Sequence, residues 1–240
     1  MKSTLKVFGI LLVASFVFYR AMIFMVENIE DFESVPLPPK KVEKITTRNP
    51  VLRVDATSRE SWTLVDFSTG RTYRVTDPDE EKGKLQEFPW DLGFQRTKII
   101  SNSGVTNPQG RVGILNLGPV DFDSVREIPP SKFTQDTRFL GVAKNEAVSD
   151  WYNYRTRTHN VESRKNVYVV KTASGRYLKL RILNYYCTRA DRDCRTLMCS
   201  RDEAACLTVE YVLALPGKET FPAPPPAPAQ IVMKTEQNNP

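Results

Sequence analysis

The sequence predicts an all-β domain of antiparallel strands, preceded by a single N-terminal transmembrane helix. Three observations predict this fold class. An uninterrupted apolar run lies at residues 7–26, short runs rich in β-branched and aromatic residues follow over residues 51–215, and no long amphipathic helical pattern lies among them. A chain of 240 residues that is 40% hydrophobic can bury a core of this size.

The N-terminal apolar run has the length of a membrane span. Residues 7–26 carry one charge, on Arg20, and a helix of that length crosses roughly the 30 Å hydrocarbon core of a bilayer. A cleaved secretory signal is the alternative, but the apolar run continues past the small residues Ala14 and Ser15, so we expect an uncleaved anchor. Bases precede the span and acids follow it. The positive-inside rule therefore predicts a single-pass inner-membrane protein with a cytoplasmic N-terminus and a periplasmic β domain.

Arg20 is a charge inside the apolar span, about 9 Å from its outer end by helical rise. Its side chain can snorkel to the outer interface of the lipid bilayer, or it can pair with a group on another membrane protein. The second interpretation makes Arg20 a candidate contact with integral membrane protein subunits.

Strand-like runs define the β domain after a proline-containing linker at residues 27–50. A hairpin is predicted at residues 61–75, around Ser68-Thr69-Gly70, and a second at residues 167–186, around Ser174-Gly175. Within the second, Leu178, Leu180 and Ile182 alternate with polar residues, which predicts one buried face. Further strands are expected at residues 97–100, 111–115 and 207–215, and a short helix at residues 133–145.

The composition shifts after residue 215. Residues 221–230 include five prolines, which favours an extended polyproline II conformation. Residues 216–240 are therefore predicted to form a Pro-rich extended tail, which is either a disordered end or a segment that packs on another protein surface.

Four cysteines lie in an insertion at residues 187–206: Cys187, Cys194, Cys199 and Cys206. In the oxidising periplasm we expect them to form disulfides. Four cysteines allow three pairings, and we favour the nested one, Cys187–Cys206 at the strand ends and Cys194–Cys199 at the tip. A four-cysteine zinc site is the alternative, although the paired C-x-x-C spacing of such sites is missing.

Charge and histidine content exclude several functions. Residues 1–26 hold three of the 34 bases and none of the 28 acids, which leaves 31 bases against 28 acids, too balanced for a nucleic-acid-binding surface. The single histidine, His159, excludes a metal site of several histidines. The serines lie in no G-x-S-x-G motif, and carboxylate pairs such as Asp121 and Asp123 are typical of solvated loops, so we do not expect an enzyme.

Three stretches resemble the HmuY-like family of haem-binding proteins. Residues 90–104, WDLGFQRTKIISNSG, are similar to the family's Trp-Asp segment, strand and Asn-Gly turn. Residues 62–75 are similar to its first hairpin, and residues 167–186 with the strand after them to its closing strands. The resemblance covers about residues 61–215 and implies an all-β, extracytoplasmic domain of a Gram-negative bacterium. Within it, Trp90 is expected to be a buried aromatic and Asp91 a carboxylate that accepts turn amides.

The resemblance also implies haem held between two axial ligands, His or Met, in a protein that is typically a lipoprotein. This chain has a transmembrane anchor in place of a lipobox and one histidine, so bis-His ligation within one chain is impossible. We therefore expect a non-catalytic accessory subunit of a larger membrane complex, such as a respiratory or photosynthetic one, without a cofactor. The alternative is a periplasmic haem-binding protein that uses His159 and Met198.

Overall fold

The computed structural model describes residues 2–31, 47–78, 80, 81, 83–186 and 204–226. The chain divides into two units, Met1–Lys44 and Ile45–Pro240. Helix α1, Lys2–Asp31, belongs to the first unit and the β-strands to the second.

Helix α1 confirms the predicted N-terminal helix. Its segment Lys6–Ile23 is long and apolar enough to cross a membrane, and its side chains are not buried by the described residues. Large apolar side chains such as Phe8, Ile10 and Phe18 are therefore exposed, as they are on a helix suited to a lipid environment. A membrane anchor and a signal sequence share these properties, so retention of the helix in the mature protein stays a prediction.

The second unit is built mainly of β-strands. It also holds a one-turn helix, α2 (Lys84–Glu87), and a 3-10 turn at Glu146–Val148. The strands among the described residues are, in chain order, β1 (Val51–Asp55), β2 (Trp62–Asp66), β3 (Arg71–Val75), β4 (Leu92–Gln95), β5 (Lys98–Ser101), β6 (Gly113–Asn116), β7 (Thr137–Phe139), β8 (Val142–Lys144), β9 (Tyr152–Arg155), β10 (Asn160–Ser163), β11 (Tyr168–Lys171), β12 (Tyr177–Tyr186) and β13 (Ala204–Leu213).

Two sheets and two hairpins make up the unit, and the described strand pairs are antiparallel, which confirms the predicted fold class. A five-stranded sheet has the order β1-β13-β12-β11-β6, and a four-stranded sheet has the order β3-β2-β4-β5. Strands β7 and β8 form one separate hairpin, and β9 and β10 form the other. The two predicted hairpins are present as β2–β3 and β11–β12, where Gly70 and Gly175 supply the positive φ that their turns need.

The two sheets share one hydrophobic core. Val65 and Phe94 of the four-stranded sheet belong to the same buried cluster as Leu180 and Val209 of the five-stranded sheet. Trp151, at the start of the β9–β10 hairpin, lies in this cluster as well. The core thus fixes the sheets and the base of that hairpin against each other.

Strand β12 has both faces covered, so the prediction of a single buried face is wrong. On the face opposite the main core, Lys179 lies beside Val169 and Val212 and is only 1% exposed. Phe122 and Phe221 cover this face and belong to a separate buried cluster. Both aromatic residues are distant from β12 in the sequence. The alternation within the strand therefore could not predict that they cover its second face.

Lys179 is buried because its ammonium group has partners in the cover. Its Nζ donates hydrogen bonds to the carbonyl oxygens of Phe122, at 2.8 Å, and Val125, at 2.9 Å. It also lies 4.6 Å from the centre of the Phe122 ring, within cation–π range. Burial lowers the pKa of Lys179 because desolvation disfavours the charged form.

The predicted short helix at residues 133–145 is wrong, since β7 and β8 form a hairpin there. Phe139 and Val142 are the closing pair, and Leu140 and Gly141 between them have φ values of 48° and 82°. Two central residues with positive φ match the right-handed twist of a hairpin and cannot continue a helix. Phe139, Leu140 and Val142 leave the tip of the hairpin exposed and apolar.

The β unit extends past the predicted domain end at residue 215. Phe221 is 3% exposed, and its backbone N–H donates to the carbonyl oxygen of Arg126 at 2.8 Å. The first residues of the Pro-rich tail therefore pack on the domain itself, because Phe221 supplies an apolar side chain to bury. Residues 227–240 lie outside the described residues.

Candidate functional site

Trp90 and Asp91 have the structural roles that the sequence predicts. Trp90 is fully buried, and its Nε1–H donates to the carbonyl oxygen of Leu85 at 3.2 Å. The Asp91 carboxylate accepts the backbone N–H of Phe67 at 2.9 Å and that of Ala173 at 2.8 Å. Asp91 thus links the turn of the β2–β3 hairpin to the turn of the β11–β12 hairpin.

Burial raises the pKa of Asp91 to about 6, because desolvation outweighs the two backbone hydrogen bonds. A buried carboxyl with a raised pKa is also a feature of catalytic sites. Here, however, both oxygens are used by backbone amides and the side chain is 1% exposed, so Asp91 serves the fold.

A second buried carboxylate, Asp136, is equally occupied. It accepts hydrogen bonds from the hydroxyls of Ser101 and Thr106, both at 2.6 Å, and from the Asn145 amide at 3.0 Å. Burial raises the pKa of Asp136 as well. Ser101 itself is 0% exposed, so this serine–carboxylate pair is closed to a substrate and is part of the packing.

His159 lies in a different environment, at the exposed end of the β9–β10 hairpin. Arg155 of β9 pairs with Asn160 of β10, so residues 156–159 form the connecting loop and His159 is its last residue. Its φ of 56° places it in the left-handed region, which a histidine adopts uncommonly. Its Nδ1 lies 2.7 Å from the hydroxyl oxygen of Tyr154, so Nε2 is the ring nitrogen outside this hydrogen bond.

The base of this hairpin is fixed to the main sheet. The Val161 N–H donates to the Tyr186 hydroxyl at 3.1 Å, and the Ser163 hydroxyl donates to the carbonyl oxygen of Ile182. Trp151 is buried and donates its Nε1–H to the carbonyl oxygen of Thr97 at 2.9 Å. The imidazole is therefore carried by a short exposed loop on a rigid support, as suits a binding residue.

Charged pairs brace the hairpin across its two strands. Both Nε and a terminal nitrogen of Arg155 donate to the same Glu162 oxygen, at 2.9 and 2.6 Å. Arg164 pairs with Asp150 at 2.8 Å and also donates to the Asn153 side chain. These contacts keep Tyr154 and His159 in register on their neighbouring strand and loop.

Of the other predicted site residues, Arg20 and Cys206 are among the described residues. Arg20 is exposed on α1, and its contact with another membrane protein stays a prediction. Cys206 lies in β13 and is disulfide-bonded. The other four predicted site residues, in the insertion, lie outside the described residues: Cys187, Cys194, Met198 and Cys199. The favoured disulfide pairing and the Met198 ligand therefore stay predictions.

The sequence did not predict Tyr154 as a partner of His159. The available signal was the spacing of five residues between an aromatic and a histidine, around a Thr-Arg-Thr loop. Both strands are largely polar, and β9 is largely exposed. Their sequences therefore have no alternation of apolar and polar residues that would predict a hairpin. A single imidazole supplies one metal ligand, and a metal held here would bring most of its own ligands, as iron does in haem.

Comparisons with family models and with solved structures both find HmuY-like proteins. The family model described as HmuY protein matches residues 58–196. The apo HmuY analogue of Tannerella forsythia is 15% identical, with 73% of this chain and 100% of that one covered and a TM-score of 0.52. Apo PinO from Porphyromonas gingivitis is 13% identical, with coverages of 71% and 99% and a TM-score of 0.51. A Bacteroides vulgatus protein described as HmuY-like and haem-binding is 21% identical, with coverages of 70% and 93% and a TM-score of 0.48. None of the curated proteins matches the chain.

These matches overturn two expectations. The expected accessory subunit of a respiratory or photosynthetic complex is wrong, and so is the expected lack of a cofactor, because the family match favours the haem-binding alternative. The missing second histidine was one of the observations behind both expectations. One histidine excludes bis-His ligation but leaves a mixed ligand pair open. The match to the family model covers more than half of the chain and agrees with the observed fold, and the protein belongs to the HmuY family.

Proposed function

We propose that this protein binds haem and that His159 is an axial ligand to the haem iron. Membership of the HmuY family supports haem as the ligand. The choice of His159 rests on one observation. Its imidazole is exposed at the end of a braced hairpin, where Nδ1 is bonded to Tyr154 and Nε2 is left for the metal. Haem iron supplies axial positions that imidazole nitrogen and thioether sulfur both fill.

Each part of the hairpin has a role in this proposal. The short loop at residues 156–159 presents the imidazole, and the Arg155–Glu162 pair holds the two strands together beneath it. Met198 is the proposed second axial ligand, from the insertion that follows β12. A thioether there would raise the reduction potential of the iron relative to a second imidazole.

The protein is proposed to carry haem without performing catalysis, outside the cytoplasm. The buried carboxylates Asp91 and Asp136 are fully used by the fold, which favours a binding role over a catalytic one. Helix α1 is proposed to hold the protein at the inner membrane, with the β unit in the periplasm.

Haem titration of the full chain in mild detergent tests the proposal. We expect a saturable Soret change at one haem per chain, lost or strongly weakened in His159→Ala and shifted in Met198→Leu. Thr156→Ala, in the same loop, is the matched control and should bind as the wild type does. Unchanged haem affinity in His159→Ala would exclude His159 as the ligand, and no saturable binding by the wild type would reject the function.

A further inference from the structure

The Tyr154–His159 pair joins an exposed aromatic residue to the chain's single histidine. The Tyr154 hydroxyl oxygen lies 2.7 Å from Nδ1 of His159, and the Tyr154 side chain is 53% exposed. Burial therefore does not account for the position of Tyr154, and the imidazole is the polar partner of its hydroxyl among the described residues. His159 is held there with a φ of 56°, outside the usual regions for a residue with a side chain.

A hydrogen bond at Nδ1 decides what Nε2 can do. A neutral imidazole carries one N–H, and the other nitrogen carries the lone pair that a metal accepts. If the Tyr154 hydroxyl donates to Nδ1, the proton of the ring is on Nε2 and the ring cannot bind a metal there. If Nδ1–H donates to the Tyr154 oxygen, Nε2 keeps its lone pair.

We propose that Tyr154 is a positioning residue that accepts the Nδ1–H of His159 and so keeps the Nε2 lone pair free for the haem iron. This inference rests on the proposed function. An imidazole that ligates a metal commonly donates its other N–H to an oxygen, which fixes the ring orientation and raises the basicity of the ligating nitrogen. The phenol oxygen of Tyr154 supplies that acceptor, and its own proton remains available to solvent.

The hairpin geometry supports a fixed pair. Tyr154 pairs with Val161 across the two strands, and the Val161 N–H is held by the Tyr186 hydroxyl of β12. The Arg155–Glu162 ion pair joins the two strands diagonally, since Arg155 follows Tyr154 on β9 and Glu162 follows Val161 on β10. Because both strands are restrained, the Tyr154 hydroxyl oxygen and His159 Nδ1 are held within hydrogen-bond distance, although neither side chain is packed in the core.

The first experiment reads the tautomer without haem. Nitrogen-15 NMR of the neutral His159 ring in the full-length protein should show a protonated Nδ1 and a bare Nε2. Tyr154→Phe removes the acceptor and should shift the ring toward the Nε2–H form. Tyr152→Phe, on the same strand and the same side, removes a hydroxyl from a half-buried tyrosine beside Trp151 and should leave the ring signals unchanged. A wild-type ring protonated on Nε2, or identical spectra for wild type and Tyr154→Phe, would overturn the inference.

The second experiment reads the consequence for the ligand. Loss of a supporting hydrogen bond to a metal ligand typically costs 10–100-fold in affinity, so Tyr154→Phe should weaken haem binding by about tenfold. Tyr152→Phe should bind as the wild type does, and His159→Ala should lose more than Tyr154→Phe. If His159→Ala weakens binding and Tyr154→Phe does not, the inference fails while the proposed function stands. If His159→Ala binds normally, the proposed ligand fails whatever the tautomer.

Discussion

The Trp90–Asp91 segment and the Tyr154–His159 pair place similar chemistry in opposite settings. Each contains an aromatic residue and a titratable one, but Trp90 and Asp91 are buried, whereas Tyr154 and His159 are exposed. Both Asp91 oxygens bind backbone amides of two separate turns, whereas the imidazole bonds one side chain at the end of a hairpin. The Trp90–Asp91 segment serves the fold, whereas the residue proposed to bind the ligand is expected to contribute little to stability.

The largest expected effect is on the buried side of this comparison. Trp90→Ala removes a fully buried indole and should lower the free energy of unfolding by about 4 kcal/mol, within the usual range for such truncations. Urea unfolding of the full chain in detergent, followed by tryptophan fluorescence, measures it. Tyr154→Ala is the matched control and should change stability far less. A similar loss in both variants would remove the contrast between the two regions.

The pH dependence of stability should come from the buried carboxylates. Asp91 has a raised pKa of about 6 against an ordinary value of 3.8, so the folded state binds more protons than the unfolded state between those values. The contribution of Asp91 to stability should therefore be fully present below about pH 4, decrease as the pH rises to about 6, and stay lower above it, by about 3 kcal/mol. Asp136 shifts in the same direction.

The Asp91→Asn variant isolates this contribution. Its free energy of unfolding, measured by urea between pH 4 and 7, should vary less with pH than that of the wild type. A steeper decline in the variant, or a wild type that gains stability as the pH rises through this window, would contradict the assignment.

A smaller effect is expected from the ion pair that braces the exposed hairpin. The Arg155 side chain is 46% exposed and that of Glu162 12%, so Arg155→Gln should cost no more than about 1 kcal/mol. It should nevertheless weaken haem binding, because the strands beneath His159 lose their brace. Haem titration and urea unfolding of the same variant separate the two effects. If Arg155→Gln lost as much free energy of unfolding as Trp90→Ala, the hairpin would be as important for stability as the buried region, and the contrast would fail.

The smallest effect on stability is expected at His159 itself. Asn adopts the left-handed conformation more readily than most residues, so His159→Asn should change the free energy of unfolding by less than about 0.5 kcal/mol. The same variant should lose haem binding. A clear loss of stability would show that the imidazole is needed for the fold.

Local patterns predicted the parts of the fold that depend on neighbours in sequence. Alternation and a turn glycine predicted β2–β3 and β11–β12, and the Trp-Asp segment predicted the buried Trp90 and the amide-binding Asp91. The β7–β8 hairpin was missed because its turn is Leu140-Gly141, which lacks the Asn-Gly or Asp-Gly signal of tight hairpins.

Contacts between residues that are distant in the chain could not be predicted from local sequence patterns. Lys179 was expected to be exposed, because the residues that cover it lie far away in the chain, at Phe122 and Phe221. His159 was found as the only histidine, but its partner Tyr154 was not, since β9 and β10 carry no apolar alternation. The sequence therefore predicted which residue type could bind the ligand, but it did not predict the position or the hydrogen-bond partner of that residue.

The burial of Lys179 makes it a natural reporter of local opening. An amine that is 1% exposed, donates to two carbonyl oxygens and lies against Phe122 should react slowly with amine-labelling reagents, while exposed lysines react at once. Trypsin should likewise fail to cleave after Lys179 in the folded protein. Because Phe221 belongs to the same cover, the labelling rate of this one lysine measures how often the start of the C-terminal segment detaches, without any change to the sequence.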